Sequence, residues 1–162
     1  MQAFTVKVFA GFLLLLAFPF LARPAEARGP FAPLAGTWVG GGTIELPGGA
    51  SERLRCRASY VVSPGGDALT QSLRCASQSY QVIINSEVEE QGGAVSGRWE
   101  ELTRGASGTL SGVVRGGTIQ GTIAGTGFTA ALSLVTRGRT QTVSIRLQGP
   151  EIAGVTAAFR KL

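Results

Sequence analysis

The chain reads as an all-β protein: a single up-and-down antiparallel β-barrel of about ten strands, held by one disulfide. Three features carry that expectation. Glycine-centred turns recur every 10 to 17 residues along the chain. Reflecting the sequence about those turns sets apolar residues opposite apolar ones and polar opposite polar, as strands with a side-chain period of two require when one face is hidden. Finally, the two cysteines of the sequence, Cys56 and Cys75, are equidistant from Gly65-Gly66.

The N-terminus carries Lys7, an apolar run from Val8 to Ala22, and then Arg23-Pro24-Ala25-Glu26-Ala27, whose small residues fit an A-x-A cleavage site. Residues 1–27 are therefore expected to be a signal peptide, with residues 28–162 forming one barrel domain. A membrane-spanning helix is the competing reading. The run has about 15 residues where about 20 are needed, and Pro19 interrupts it. No cysteine lies near the cleavage site, so a lipid anchor is not expected.

Strands are expected near 36–46, 52–63, 68–77, 79–90, 94–103, 107–115, 118–124, 127–136, 139–148 and 152–161. A first hairpin across Pro47 to Ser51 sets Trp38 opposite Tyr60. The second turns at Gly65-Gly66; Pro64 has no N–H to close a two-residue loop, which favours a loop from Pro64 to Asp67 closed by Ser63 with Ala68. Counting back puts Cys56 with Cys75 at a non-hydrogen-bonded position, where strands approach closest and a disulfide forms most easily. About Gly92-Gly93, Val88, Ser86 and Ile84 face Gly97, Trp99 and Glu101, with Ser86 leaving room for the indole, while Glu87 opposes Arg98 on the reverse side. About Gly116-Gly117, Val114, Gly112 and Leu110 meet Ile119, Gly121 and Ile123. About Arg137-Gly138, Leu134, Leu132, Ala130 and Phe128 face Gln141, Val143, Ile145 and Leu147.

A flat sheet of such hairpins leaves one apolar face wet and two edges unpaired, and closure into a barrel removes both problems. A two-sheet sandwich is the alternative, but it calls for crossovers that short turns do not provide. The apolar face is expected to point inward. An outer-membrane barrel would turn it to lipid, yet Gly40, Gly42, Gly97, Gly112 and Gly121 all lie on that face, and residues 28–162 hold only seven aromatics.

The first strand, Gly36-Thr37-Trp38-Val39-Gly40-Gly41-Gly42-Thr43-Ile44, resembles the Gly-x-Trp opening of the calycins, the lipocalin-like barrels, and in particular nitrobindin-type ten-stranded barrels. The resemblance implies a Trp that closes one end of the barrel, here Trp38 with Tyr60, beneath an arginine from a late strand, Arg146 or Arg160. Nitrobindin-like proteins hold haem through histidine. This chain has no His, so a histidine-ligated haem is excluded. The paired segments Leu54-Arg55-Cys56 and Leu73-Arg74-Cys75 also resemble small exported bacterial proteins of unknown function, which implies a periplasmic or secreted location.

Without histidine, Ser-His-Asp and Cys-His centres are impossible and zinc loses its commonest nitrogen ligand. Glu100 and Glu101 are adjacent in a strand and point to opposite faces, as do Glu89 and Glu90, so neither pair converges on a glycosidic bond. They read as solvated strand-end charges. The glycine-rich segments precede no helix and lack the N-terminus that phosphate loops use. Neither catalysis, nor a cofactor, nor a metal is expected.

Two regions carry functional expectations. Ten strands enclose more than the eight whose side chains just fill a barrel. Ile84, Val88, Trp99, Leu110, Gly112, Val114, Ile119, Gly121, Ile123, Phe128 and Leu132 would line a pocket for a small apolar or amphipathic ligand, unless the glycines serve curvature or Trp99 and the core is filled. On the outer face, Arg53, Arg55, Arg57 and Arg74 cluster, with Arg57 across from Arg74. An anionic partner, such as an envelope surface, would relieve that repulsion; a solvated face is the plainer reading. Removing residues 1–27 leaves 13 basic and 9 acidic residues, and only Lys161 of the bases is a lysine, a bias that a GC-rich genome also produces. The expected function is an exported binding barrel, the alternative an envelope-associated interaction protein or protease inhibitor acting through the arginine face, and the third a small outer-membrane barrel. Neither nucleic acid nor a membrane span is expected.

Overall fold

A computed structural model describes residues 29–148 and 152–162; the expected signal peptide, 1–27, lies outside the described residues. One turn of 3-10 helix, Ala32–Leu34, leads into ten strands: β1 (Gly36–Glu45), β2 (Ser51–Val62), β3 (Ala68–Ala76), β4 (Gln81–Gln91), β5 (Ala94–Glu101), β6 (Ala106–Arg115), β7 (Thr118–Gly125), β8 (Phe128–Arg137), β9 (Thr140–Gln148) and β10 (Gly154–Lys161). Each strand pairs antiparallel with its neighbours in the chain, and β10 returns to pair with β1, from Trp38 opposite Lys161 to Glu45 opposite Gly154. The ladder is one closed ring, so the sandwich alternative does not apply.

Three hairpins have the register that mirror symmetry gives. Cys56 faces Cys75, Ser86 faces Trp99, and Val114 faces Ile119. The Cys56–Cys75 disulfide joins Cα atoms 4.1 Å apart, the spacing of a non-hydrogen-bonded pair, and Ser63 N–H donates to the Ala68 carbonyl at 2.8 Å to close the loop.

Two hairpins are each shifted by two residues, which preserves the faces but changes the partners. Leu134 faces Val143 and Thr136 faces Gln141, because the turn is centred on Gly138-Arg139 and not on Arg137-Gly138. Gly138 has φ of +57° while no residue other than glycine has a positive φ among the described residues. With glycine the only residue type at positive φ, Gly138 takes the first central position of the turn, as in type II′; the expected centre would have put Arg137 there and forced an arginine into the left-handed region. In the first hairpin Trp38 faces Ala58 and Tyr60 faces Gly36, since Leu46 N–H already bonds the Ala50 carbonyl at 2.8 Å.

Burial is graded along the barrel axis. At the end where β1 starts, Phe31 and Trp38 are fully buried, Leu34 is nearly so, and Tyr60, Leu69, Val88, Val95, Val114, Ile119 and Phe159 join them. The N-terminal segment is stitched across this end: Gly29 N–H donates to the Gly65 carbonyl at 2.7 Å and Phe31 N–H to the Gly66 carbonyl at 2.9 Å. Toward the opposite end the inward side chains Leu73, Ile84, Trp99, Leu110, Ile123, Leu132, Ile145 and Leu147 keep partial exposure, although Ile44, Leu54 and Ala130 are buried there. On the outside, β2 presents Arg53, Arg55, Arg57 and Ser59, the reverse of the apolar outer band of an outer-membrane barrel.

The inward glycines follow from close strand contact. A Cβ on Gly112 would fall on the Gln120 carbonyl oxygen, one on Gly121 on that of Ser111, and one on Gly40 on that of Ala158, all backbone atoms of the neighbouring strand. These positions relieve curvature, and the space that a side chain would have taken is already occupied by backbone. Trp99 is accommodated by a different pair: a Cβ on Gly108 or Gly125 would come within 2.9 or 3.0 Å of its ring. The indole therefore sets its Nε1–Cζ2 edge against β6 and β7, donating to the Ala124 carbonyl at 3.3 Å, with its centroid 5.8 Å from that of Phe128.

Glu101 is not the solvated strand-end charge expected from sequence. It is 7% exposed. Its carboxylate accepts from the amides of Thr103 at 2.9 Å, Arg104 at 2.8 Å and Ile83 at 3.2 Å and from the Thr103 hydroxyl, so it organises the turn between β5 and β6. Burial pushes this carboxyl up, but the Thr103 hydroxyl and the three amides together hold it below the usual glutamate value. Glu100, on the opposite face, is exposed and accepts from Asn85 at 3.3 Å.

Two outcomes follow from this packing. Gly112→Ala should destabilise the barrel by about 1–3 kcal/mol because backbone must move, whereas the outward Ser111→Ala should change urea stability by no more than about 0.5 kcal/mol. A carboxyl whose folded pKa is depressed binds fewer protons folded than unfolded, so its stabilisation is present above the unfolded value of about 4.3 and is lost as pH falls through the folded value. Glu101→Gln should therefore flatten the stability loss below about pH 4, as read from urea midpoints across an acid series.

Candidate functional site: the barrel lumen and the arginine wall

Trp38 is the centre of the closed end. Its ring is fully buried, its indole N–H donates to the Leu34 carbonyl at 2.7 Å, and Tyr60 meets it edge-on at 6.4 Å between centroids. The cation over this tryptophan is Lys161. Its ammonium lies 5.7 Å from the ring centroid and donates to the Pro33 carbonyl at 3.0 Å, which ties β10 to the N-terminal turn. Arg146 and Arg160, expected there from the resemblance, are exposed. Strand alternation decides this: Arg160 pairs with Val39 on the outer face, and its neighbour Lys161 faces Trp38.

Beneath the tryptophan a polar chain crosses the interior. Tyr60 donates to Gln141 Oε1 at 3.1 Å and accepts from Gln71 Nε2 at 3.3 Å, while Ser86 donates to Gln71 Oε1 at 2.8 Å. Gln141 is 1% exposed and its amide nitrogen reaches Thr136 at 3.4 Å. Burial pushes the Tyr60 hydroxyl up to about 12 against the opposing effect of its two glutamine partners, so it stays a neutral donor. Gln71 and Gln141 were not singled out by sequence reasoning. The available signal was a glutamine falling on an otherwise apolar strand face.

The sequence-derived pocket residues divide between the two halves. Val88, Val114 and Ile119 are each 7% exposed and belong to the packed end. Ile84, Trp99, Leu110, Ile123, Phe128 and Leu132 are partly exposed and face inward in the other half, below the polar chain. Gly112 and Gly121 face each other across β6 and β7 as contact points between strands. The inward side chains of this half are thus aliphatic and aromatic, with Ser86 of the polar chain directly across from Trp99.

The arginine wall lies outside. Arg53, Arg55 and Arg57 alternate along β2, and Arg57 faces Arg74 of β3; all four are exposed. Two surface concavities meet on this wall. One of about 290 Å³ is bordered by Arg55, Arg57, Arg74, Ala76, Gln81 and Ile83. The other, of about 790 Å³, is bordered by Thr43, Arg53, Arg55, Ala76, Ser77 and Gln78. Among the described residues there is no cluster of His, Cys, Asp or Glu able to hold a metal ion, and no helix is long and apolar enough to cross a membrane.

No family model matches the chain, and no curated protein matches it. Solved structures do share its architecture. Rv2717c from M. tuberculosis superposes with a TM-score of 0.62 at 13% identity, over 81% of this chain and 94% of that one. The S-type phycobiliprotein lyase CPES from Guillardia theta gives 0.59 at 7% identity, over 81% and 89%. At such identities the likeness is one of fold: a closed ten-stranded barrel of the lipocalin-like kind.

Proposed function

We propose that this chain is an exported binding barrel that takes a small apolar or amphipathic ligand into the half of its lumen remote from Trp38. The carrying observation is the burial gradient. One end is sealed by Phe31, Leu34 and Trp38, while inward aliphatic side chains at the other remain partly exposed. Apolar walls with a few polar groups at one end are the usual make-up of a small-molecule site. Gly108 and Gly125 make room for the ring edge of Trp99, the largest side chain of this half, beside β6 and β7. A ligand head group would meet Gln71 and Ser86 of the polar chain, or water at the mouth.

Export is supported by the leader-like N-terminus and by a paired disulfide, which persists in oxidising compartments. The resemblance of the paired Leu-Arg-Cys segments to small exported bacterial proteins of unknown function agrees with this address, periplasmic or secreted. The chain acts by binding and not by catalysis; the sequence has no histidine, and the adjacent pairs Glu89-Glu90 and Glu100-Glu101 point to opposite faces of their strands.

The test is titration of the purified protein with dansyl-labelled undecanoic acid, followed by fluorescence. The wild type should enhance and blue-shift the probe. Ile123→Trp and Leu132→Trp, which fill the lumen, should weaken binding about tenfold or more while circular dichroism stays native. Thr122→Trp, on the outer face, should bind as wild type. Equal binding by all three variants would place the probe outside the barrel and overturn the reading, as would native mass spectrometry and titration that both show an empty, non-binding interior.

A further inference from the structure

We propose that the outer wall of β2 and β3 is a binding site for phosphate-bearing anions, in which Arg55, Arg57 and Arg74 grip the phosphate and the Cys56–Cys75 disulfide fixes their spacing. The site is separate from the lumen. It shares a strand pair with it but uses the opposite face.

The first argument is unbalanced charge. Arg57 and Arg74 are direct cross-strand partners, so their Cβ atoms are about 5 Å apart, and like charges so placed destabilise a sheet. Arg55 is one diagonal step from Arg74, and Arg53 continues the row. The rung continues across Val39 of β1 to Arg160 of β10, about 10 Å from Arg57 at ordinary strand spacing. Natural sheets neutralise such rows with facing carboxylates, and this protein does so elsewhere: Arg98 pairs with Glu87 at 3.2 Å. That is the only salt bridge among the described residues, and none of the five wall arginines makes a side-chain hydrogen bond there.

The second argument is shape. The concavity of about 290 Å³ is lined by Arg55, Arg57 and Arg74, by Cys56 and Cys75 of the disulfide, and by uncharged residues of β3 and β4. No carboxylate lines it. Planar guanidinium forks bind phosphate oxygens in pairs. Three such groups around one hollow exceed the charge of a single carboxylate and match a phosphate.

The third argument is rigidity. Cys56 stands between Arg55 and Arg57, and Cys75 follows Arg74, so the covalent bond lies one residue from each gripping arginine. It holds the two strands in the register that brings the arginines together despite their repulsion. A site fixed before its ligand arrives loses less freedom on binding. Restriction of the unfolded chain explains a disulfide in general; its place on the rung beside the arginine pair is explained by the site.

A soluble ester and a lipid head group both present this phosphate chemistry, and two arms separate them: calorimetric titration with pyrophosphate, and co-sedimentation with phosphatidylglycerol vesicles against phosphatidylcholine vesicles. The oxidised protein should bind pyrophosphate, phosphatidylglycerol vesicles or both, with affinity falling as salt rises. Binding in the first arm assigns a soluble phosphate, and binding to vesicles alone assigns the head group. The pair Arg57→Gln and Arg74→Gln should weaken binding about tenfold, while the pair Arg115→Gln and Arg137→Gln, which removes the same charge elsewhere, should stay within about twofold. Reduction of the disulfide, with the fold verified by circular dichroism, should weaken binding severalfold. Binding in neither arm, or equal weakening by both double variants, overturns the site. Unchanged affinity after reduction overturns the role given to the disulfide.

Discussion

The pairing of β1 with β10 is the constraint on which the rest of the molecule depends. Each hairpin hides one face, and a sheet of hairpins has nowhere to hide it except against itself. Curling the sheet brings the first and last strands together, and their ladder converts two rows of unpaired amides and carbonyls into hydrogen bonds. The sequence of β1 meets the geometric demand of that closure. Gly40 and Gly42 let β10 approach so closely that any Cβ would strike its carbonyls, and Gly41 does the same toward β2. Trp38 and Lys161 then clamp the seam at one end, with the N-terminal turn folded over them.

Closure of a ten-stranded sheet has a consequence for the interior. Side chains at the Trp38 end are supplemented by Phe31 and Leu34 from outside the barrel, and that end is filled. At the other end the loop residues Leu46, Tyr80 and Ile152 pack against the core only partly buried, and many of the inward side chains there keep partial exposure. The polar chain from Gln141 through Tyr60 to Ser86 marks the boundary between the halves. Its hydrogen bonds satisfy groups that would otherwise be costly inside an apolar core, and no buried side-chain polar atom lacks a partner among the described residues.

Much of this architecture was legible in the sequence because period-two alternation and turn glycines are local signals. The closed meander, the inward face and the Cys56–Cys75 rung all follow from counting about a turn. Counting failed where the turn was not marked by a symmetric glycine pair: at Gly138-Arg139 the sign of one φ angle set the register, and the first loop centres on Gly48 alone, so that the pair Gly48-Gly49 sits off its centre. The meaning of the inward glycines was less legible. Sequence shows that bulk is missing but not whether space or a neighbouring backbone replaces it, and Gly112, Gly121 and Gly40 prove to be contact points. Lys161 and Glu101 were missed for a related reason: charged residues at strand ends read as solvated until the fold shows which neighbours surround them.

Hydrogen exchange of the backbone amides, resolved by nuclear magnetic resonance, tests closure most directly. In a closed barrel the ladder amides of β1 and β10 should exchange as slowly as those of interior pairs such as β6 with β7, because neither strand has a free edge. Fast exchange of alternate amides along both β1 and β10, with the other eight strands protected, would show an open sheet and contradict the account.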